Sequence, residues 1–376
     1  MRNAIEFAGD LAQLDAALEA LPNQPAVFVL WPKEGEPYVG KTGLLRRRLL
    51  RLLKERAQPS RLLNLRHTVD RIEYQFTGSG LESSVVLYEE TRRYHPDDYA
   101  DRIKLRLPPY VKIVLNNPFP RSHITTHLTR TAGLYFGPFR SRASAERFES
   151  QFLDLFQMRR CQEDLVPSPE HPGCIYGEMG MCLRPCQEVV GPAEYGHEVV
   201  RVTDFLRTDG GSLLESIAHS RDRLSEDMMF EEAARQHKRF EKVQEVLKLR
   251  DELTHDVDRL NGVAITRSLV PDSVQMWFVR DGNWQEPQRF TFEKDGRTIS
   301  LDRKLRETFT AVVPRKLTIR EREEYLAILA RWYYSSWRDG EWLGFDSFDD
   351  PPYRKLVNAV SRIATARPSC DSDQAN

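Results

Sequence analysis

Four cysteines fall within 26 residues, spaced Cys161-x12-Cys174-x7-Cys182-x3-Cys186 in the segment CQEDLVPSPEHPGCIYGEMGMCLRPC. Thiolates are soft ligands, and four of them complete either a tetrahedral zinc site or a cubane iron–sulfur cluster. Structural zinc sites usually pair their ligands across two to four residues, and only Cys182 and Cys186 are spaced that way here. The wide, irregular spacing fits a bulkier group reached from separate loops. The alternative without metal is a set of small buried apolar side chains. His171, between Glu170 and Pro172, reads as a loop residue, and Cys370 stands alone in a polar tail. In a chain without a secretion signal, cysteines grouped this way read as metal ligands and not as a disulfide framework.

A second chemistry is electrostatic. Between Lys41 and Arg66 there are nine basic residues and one acidic residue, Glu55, although the whole chain carries a net charge of −1. Arg46, Arg47, Arg51 and Lys54 share one short leucine-bearing helix, an arrangement suited to phosphate contacts without base reading. A solvated helix face is the competing explanation for the same run. Around residues 221–235 the balance is reversed, with many carboxylates, so two faces for different partners are expected.

These groups need elements to position them. Residues 25–31, PAVFVLW, read as a buried strand, Tyr38-Val39-Gly40 as a second, and 69–76, VDRIEYQF, as a third. Helices are expected over 44–53 and 81–94, giving a β-β-α-β-α order and a small α/β sandwich of about 100 residues. Next come two strands, PYVKIVL and AGLYFGPF, around the loop NNPFPRSH, then a helix bearing Phe148, Phe152 and Phe156. The Pro-, Gly- and Cys-rich stretch 161–187 cannot bury a core, so its order must come from what it binds. Residues 212–250 form two helices broken near Met228 and Met229, an antiparallel pair. Its apolar stripe is Leu213, Leu214, Ile217, Leu224, Phe230, Ala233 and Ala234. Two helices alone cannot bury that stripe, so either a protein partner or the rest of the chain covers it. Strands over SVQMWFVRDG and WQEPQRFTFE and a helix near 317–337 follow, and 367–376 read as a disordered tail.

At 376 residues, 40% hydrophobic and 30% charged, the chain has material for several small cores. The expected class is α+β and multidomain, with units at 1–100, 101–200, 205–252 and 256–376. No apolar run approaches the ~20 residues that span a bilayer, and the N-terminus is acidic where a signal peptide is apolar. No membrane association and a cytoplasmic location are expected.

PAVFVLW…YVGKTGLLRRRL resembles a GIY-YIG nuclease module. PYVKI…FPR…YFGPFRS, the four cysteines with their Pro-Cys ending, and LSEDMMFEEAA follow the UvrC family of excision-repair subunits in the same order, over roughly residues 20–280. The resemblance implies a [4Fe–4S] cluster on Cys161, Cys174, Cys182 and Cys186. It implies a UVR helical hairpin that docks on a UvrB-type helicase subunit through Phe230, Glu231, Ala233 and Ala234, with His237-Lys238 where the family has Arg-Asp. Residues 256–292 resemble the segment introducing the family's RNase H-like domain, here expected to be truncated, because the later Gly-rich stretch and aspartate series of that domain are not found.

For the nuclease, the resemblance retains Tyr38, Lys41 and Arg48. Phe28 stands in place of the first tyrosine, Leu52 in place of another, Leu87 in place of the metal-binding glutamate and Tyr99 in place of an asparagine. In that chemistry one divalent metal, Mg²⁺ or Mn²⁺, is anchored by a single carboxylate. Glu90 would reach the site only after a shift of its helix, and Glu89 points elsewhere. The expected function is a DNA-binding protein of nucleotide-excision repair with impaired or lost incision. The alternatives are an active endonuclease cutting once on the 3′ side and, more remotely, a redox-sensing cluster protein.

Overall fold

The structure is a computed structural model that describes residues 2–7, 11–54, 65–291 and 300–365. Cys370 and the whole of the polar tail expected at 367–376 lie outside these residues, as do residues 55–64 of the basic run. The architecture is mixed α/β, with three antiparallel sheets among the described residues.

The N-terminal unit comprises β1 (Asn3–Glu6), α1 (Leu11–Ala20), β2 (Ala26–Pro32), β3 (Tyr38–Thr42), α2 (Leu45–Leu52), α3 (Leu65–Thr68), β4 (Val69–Phe76), α4 (Gly80–Tyr94) and α5 (Tyr99–Arg102). Its sheet order is β1-β4-β2-β3. Alternation sends Ala26, Phe28 and Leu30 into a core with Leu14, Leu18, Leu45 and Leu49. Leu45 and Leu49, four apart, form the buried stripe of α2 and leave Arg46, Arg47 and Arg51 outward. The edge strand β1 is not legible in the sequence, because four residues near a terminus carry too short a pattern.

The middle unit holds β5 (Tyr110–Val114), β6 (Arg121–Thr125), β7 (Gly133–Gly137), α6 (Arg142–Leu153), α7 (Ile175–Glu178) and α8 (Pro192–Arg207). Strand β6 lies partly within the stretch expected as a loop. Its RSHIT pattern has one apolar residue, and pairing with β5 defines it. Val111 and Ile113 face Phe136, Phe148 and Phe152 in the core, so Lys112 faces the other way. Ser141 and Ser144 form a reciprocal cap at the start of α6.

Helices α9 (Gly211–Glu226) and α10 (Phe230–Leu247) are antiparallel, turned by Met228 at φ +59°. Then β8 (His255–Asp256) returns to pair with β7. The C-terminal unit contains β9 (Gly262–Arg267), β10 (Ser273–Arg280), β11 (Asn283–Trp284), β12 (Gln288–Thr291), α11 (Leu301–Thr310), α12 (Ile319–Tyr333), β13 (Gly340–Gly344) and α13 (Tyr353–Thr365). The stretch expected as one strand, 284–293, is divided between the short β11 and β12, which both pair with β10.

One apolar cluster joins the N-terminal, middle and C-terminal units. Leu81, Val85, Tyr88 and Tyr99 pack with Tyr110, Trp277, Trp284, Tyr325 and Trp332. Trp284 and Tyr325 stack at 5.5 Å. Among the described residues no helix is long and apolar enough to cross a membrane.

Candidate nucleic-acid interface and thiol cluster

Strands β2 and β3 place the retained tyrosine and lysine by their register. Phe28 pairs with Gly40 and Leu30 with Tyr38. A Cβ on Gly40 would lie 2.9 Å from the Phe28 ring, so glycine permits that ring to sit over the strand. Phe28 is fully buried, whereas Tyr38 is 45% exposed with its ring centroid 6.1 Å away. Lys41 donates to Ser84 Oγ at 3.0 Å, and its ammonium lies 5.6 Å from the Trp337 ring. Desolvation and the charge of Arg331 hold its pKa below the ordinary lysine value, while Asp339 opposes them. Arg48 is half-buried on α2; Arg46, Arg47, Arg51 and Lys54 are exposed. Leu52 packs against the N-terminal core and Leu87 is half-buried on α4.

Helix α4 is occupied by the C-terminal unit. Tyr88 and Tyr99 donate their hydroxyls to the two oxygens of Glu324, at 2.7 and 2.5 Å. Tyr325 donates to Glu89 at 3.0 Å, and Arg92 pairs with Glu321 at 3.1 Å. At the helix start, Gly80 N donates to Asp339 at 2.5 Å, and a Cβ on Gly78 would lie 2.7 Å from the Ser268–Leu269 backbone. The carboxylates of α4 are therefore committed: Glu90 to Arg2, Glu89 to Tyr325, and Glu82 to Gly78 N at 2.6 Å. Sequence reasoning missed α12 as the partner of α4. The available signal was the run YLAILARWYY, apolar apart from Arg331 and so a helix buried on most sides.

The cysteines lie on either side of α7, Cys161 and Cys174 before it and Cys182 and Cys186 after it, close enough for their charges to act on one another. Burial pushes the Cys182 thiol up to about 11, and the charges of Cys161, Cys174 and Cys186 add to it. Burial, then Cys161 and Cys174, likewise raise Cys186. Arg184 N donates to Cys182 Sγ at 3.4 Å, and buried Arg159 donates to Cys161 Sγ at 3.3 Å. A second nitrogen of that guanidinium, Nη2, is buried without a partner among the described residues. Burial keeps Cys182 and Cys186 as thiols, and sulfur donors of this kind bind a soft metal only on losing their protons. Among the described residues no three His, Cys, Asp or Glu side chains are already gathered to hold an ion. His171 uses Nδ1 to accept from Gly173 N at 3.0 Å and so holds its own loop.

The helical hairpin is divided along its length. Leu213 and Ile217 at its base, with Val243 and Val246, are buried in the middle core. At the tip Met228, Met229 and Phe230 are exposed, Phe230 at 66%; Glu231 and Ala234 are exposed and Ala233 half-buried. The rest of the chain thus covers one half of the predicted stripe.

Residues 109–205 match the family model described as UvrC/Cho excinuclease, middle domain. The chain is similar to UvrABC system protein C of Lachnospira eligens, 24% identical over 331 residues covering 85% of this chain and 53% of the relative. To that of Dehalococcoides mccartyi it is 25% identical over 366 residues, 93% and 58%. To that of Moorella thermoacetica it is 29% identical over 234 residues, 62% and 38%. The chain thus spans about half the length of the curated relatives it matches, and no solved structure matches it. Strands β5 to β7 and the cysteine loops lie inside the matched domain, and the chain is similar to these UvrABC system proteins C along most of its length.

Proposed function

We propose that this protein binds DNA in nucleotide-excision repair through a GIY-YIG-like module that no longer cuts. The observation that carries this reading is the use of α4 as a docking face. Leu87 stands where the family's metal carboxylate is expected, and Tyr99, in place of an asparagine, donates to Glu324 of the C-terminal unit. Without a carboxylate the divalent metal, Mg²⁺ or Mn²⁺, has no protein anchor. Losing it costs several kcal/mol of transition-state stabilisation, or ~10³-fold in rate. Tyr38, Arg48 and the exposed Arg46, Arg47, Arg51 and Lys54 then serve the phosphate backbone. The cysteines would hold a [4Fe–4S] cluster that orders residues 155–190, and the exposed Phe230 tip would dock on a UvrB-type subunit.

The test is incubation of anaerobically purified protein with end-labelled damaged duplex and Mg²⁺ or Mn²⁺, with and without UvrA and UvrB. Binding without incision is expected. Metal-dependent cutting that disappears in Arg48→Ala would establish a single-incision nuclease instead.

A further inference from the structure

The face of the middle sheet turned away from the phenylalanine core holds a buried cation that none of the functions above uses. Lys112 is 8% exposed. Its ammonium donates to Thr129 Oγ1 at 3.1 Å and Thr131 Oγ1 at 3.3 Å, and lies 5.1 Å from the Tyr135 ring. Among the described residues no carboxylate forms an ion pair with it. A buried charge with only neutral partners is costly, and an anion is the natural completion of such a site.

Space for one is adjacent. A cavity of about 270 Å³ is lined by Thr129, Arg130, Thr131, Tyr135, Asp258 and Arg322, among others, and by Ile319 in the first turn of α12. Thus the two hydroxyls bonded to the ammonium, and the ring beside it, are walls of that cavity. Arg322 is fixed by Asp258 at 2.8 Å and by the carbonyls of Val257 and Gly282, so it neutralises the carboxylate that Asp258 brings to the lining. Nearby Glu323 is turned to Leu128 N. Arg130 is exposed and, among the described residues, in no ion pair. Three hydroxyls meet here, with Thr129 in contact with Thr131 at 2.6 Å and with Tyr135 at 2.7 Å. Those two contacts use two hydroxyl protons and leave one to donate to a ligand. The cross-strand neighbour His123 feels the same field: burial first, then Lys112 and Arg121, lower its pKa.

We propose that this cavity is a phosphate site, with the Thr129 and Thr131 hydroxyls as its base, the Lys112 ammonium behind them and Arg130 as its solvent-side cation. The phosphate is either free or part of a nucleic acid, and both present the same oxyanion. The site is separate from the nuclease-like module and the thiols, so it stands whether or not that module cuts.

Inorganic phosphate is titrated into the full chain at constant ionic strength against chloride, followed by calorimetry and by melting temperature. A 5′-phosphorylated oligonucleotide is compared with its unphosphorylated form. Wild type is expected to bind phosphate or to prefer the phosphorylated end, and Thr131→Val and Arg130→Gln to weaken that binding about tenfold. Lys112→Met should abolish it, and since that residue is buried, the two exposed positions decide the matter if this variant fails to fold. Binding of inorganic phosphate identifies the free ion as sufficient, and a preference confined to oligonucleotides identifies nucleic acid. No phosphate-dependent effect in either arm, or wild-type affinity in both exposed variants, overturns the proposal.

Discussion

Glu324 is 4% exposed and accepts from Tyr88, Tyr99 and Arg320. Burial first and the carboxylate second raise the pKa of both phenols, so both stay protonated and donate. Tyr99→Phe would leave a buried carboxylate short of a donor and should lower stability by ~1–3 kcal/mol in urea unfolding. Tyr38→Phe, at a half-exposed hydroxyl, should stay within ~0.5 kcal/mol. Equal losses would mean that Tyr99 does not bridge the units. At this scale the sequence was informative about identity and silent about cause. Phe28, Leu52, Leu87 and Tyr99 are visible as departures, but Glu324 lies 225 residues beyond Tyr99 and no local pattern links them. The cysteines are brought to notice by spacing alone, which does not say what they hold. Cys174→Ala should abolish broad visible absorption and reduce soluble protein; stoichiometric zinc without iron in anaerobic wild type would rule the cluster out.

Among the elements, the hairpin was legible as two helices but not in how it divides. Leu213 and Ile217 read like Phe230 in an apolar stripe, yet only the base meets the middle core. Ile217→Ala should therefore cost ~2–5 kcal/mol of stability, while Phe230→Ala costs little stability and weakens capture of a UvrB-type protein. Capture unchanged by Phe230→Ala would remove the tip as a docking surface. Helix α2 was legible because Leu45 and Leu49 repeat at one turn. Strand β6, with its polar RSHIT, was not, since its definition comes from pairing with β5. Replacing Arg47 and Arg51 by Gln should lower DNA affinity and flatten its dependence on salt, the slope of log affinity falling by about 0.9 for each phosphate that the protein no longer neutralises. A slope equal to wild type would return α2 to the status of a solvated face.

At the scale of the molecule, the shared cluster around Tyr88, Trp284 and Tyr325 makes the N-terminal and C-terminal units mechanically continuous. This continuity was invisible in the sequence, where the two units are separated by the cysteine loops and the hairpin. It also bears on the proposed DNA surface, because Trp337 and Asp339 come from the loop after α12 and meet Lys41 and Gly80. Trp337 is still 43% exposed, so it screens Lys41 without sealing it. Trp337→Ala removes the ring that lies 5.6 Å from the ammonium and leaves Asp339 to hold Gly80. Opening the surroundings of Lys41 should then move its pKa toward the ordinary lysine value, since burial is the first influence that lowers it. With the ammonium open to solvent and to phosphate, DNA affinity should increase about two- to fivefold at low salt, and the salt slope should steepen by up to about 0.9, as expected when one more phosphate is neutralised. Lys41→Gln in the same background should cancel both changes. If Trp337→Ala leaves affinity and slope as they are, or if Lys41→Gln does not reverse the gain, Lys41 lies outside the DNA-binding surface and its contact with Trp337 serves only to join the two units.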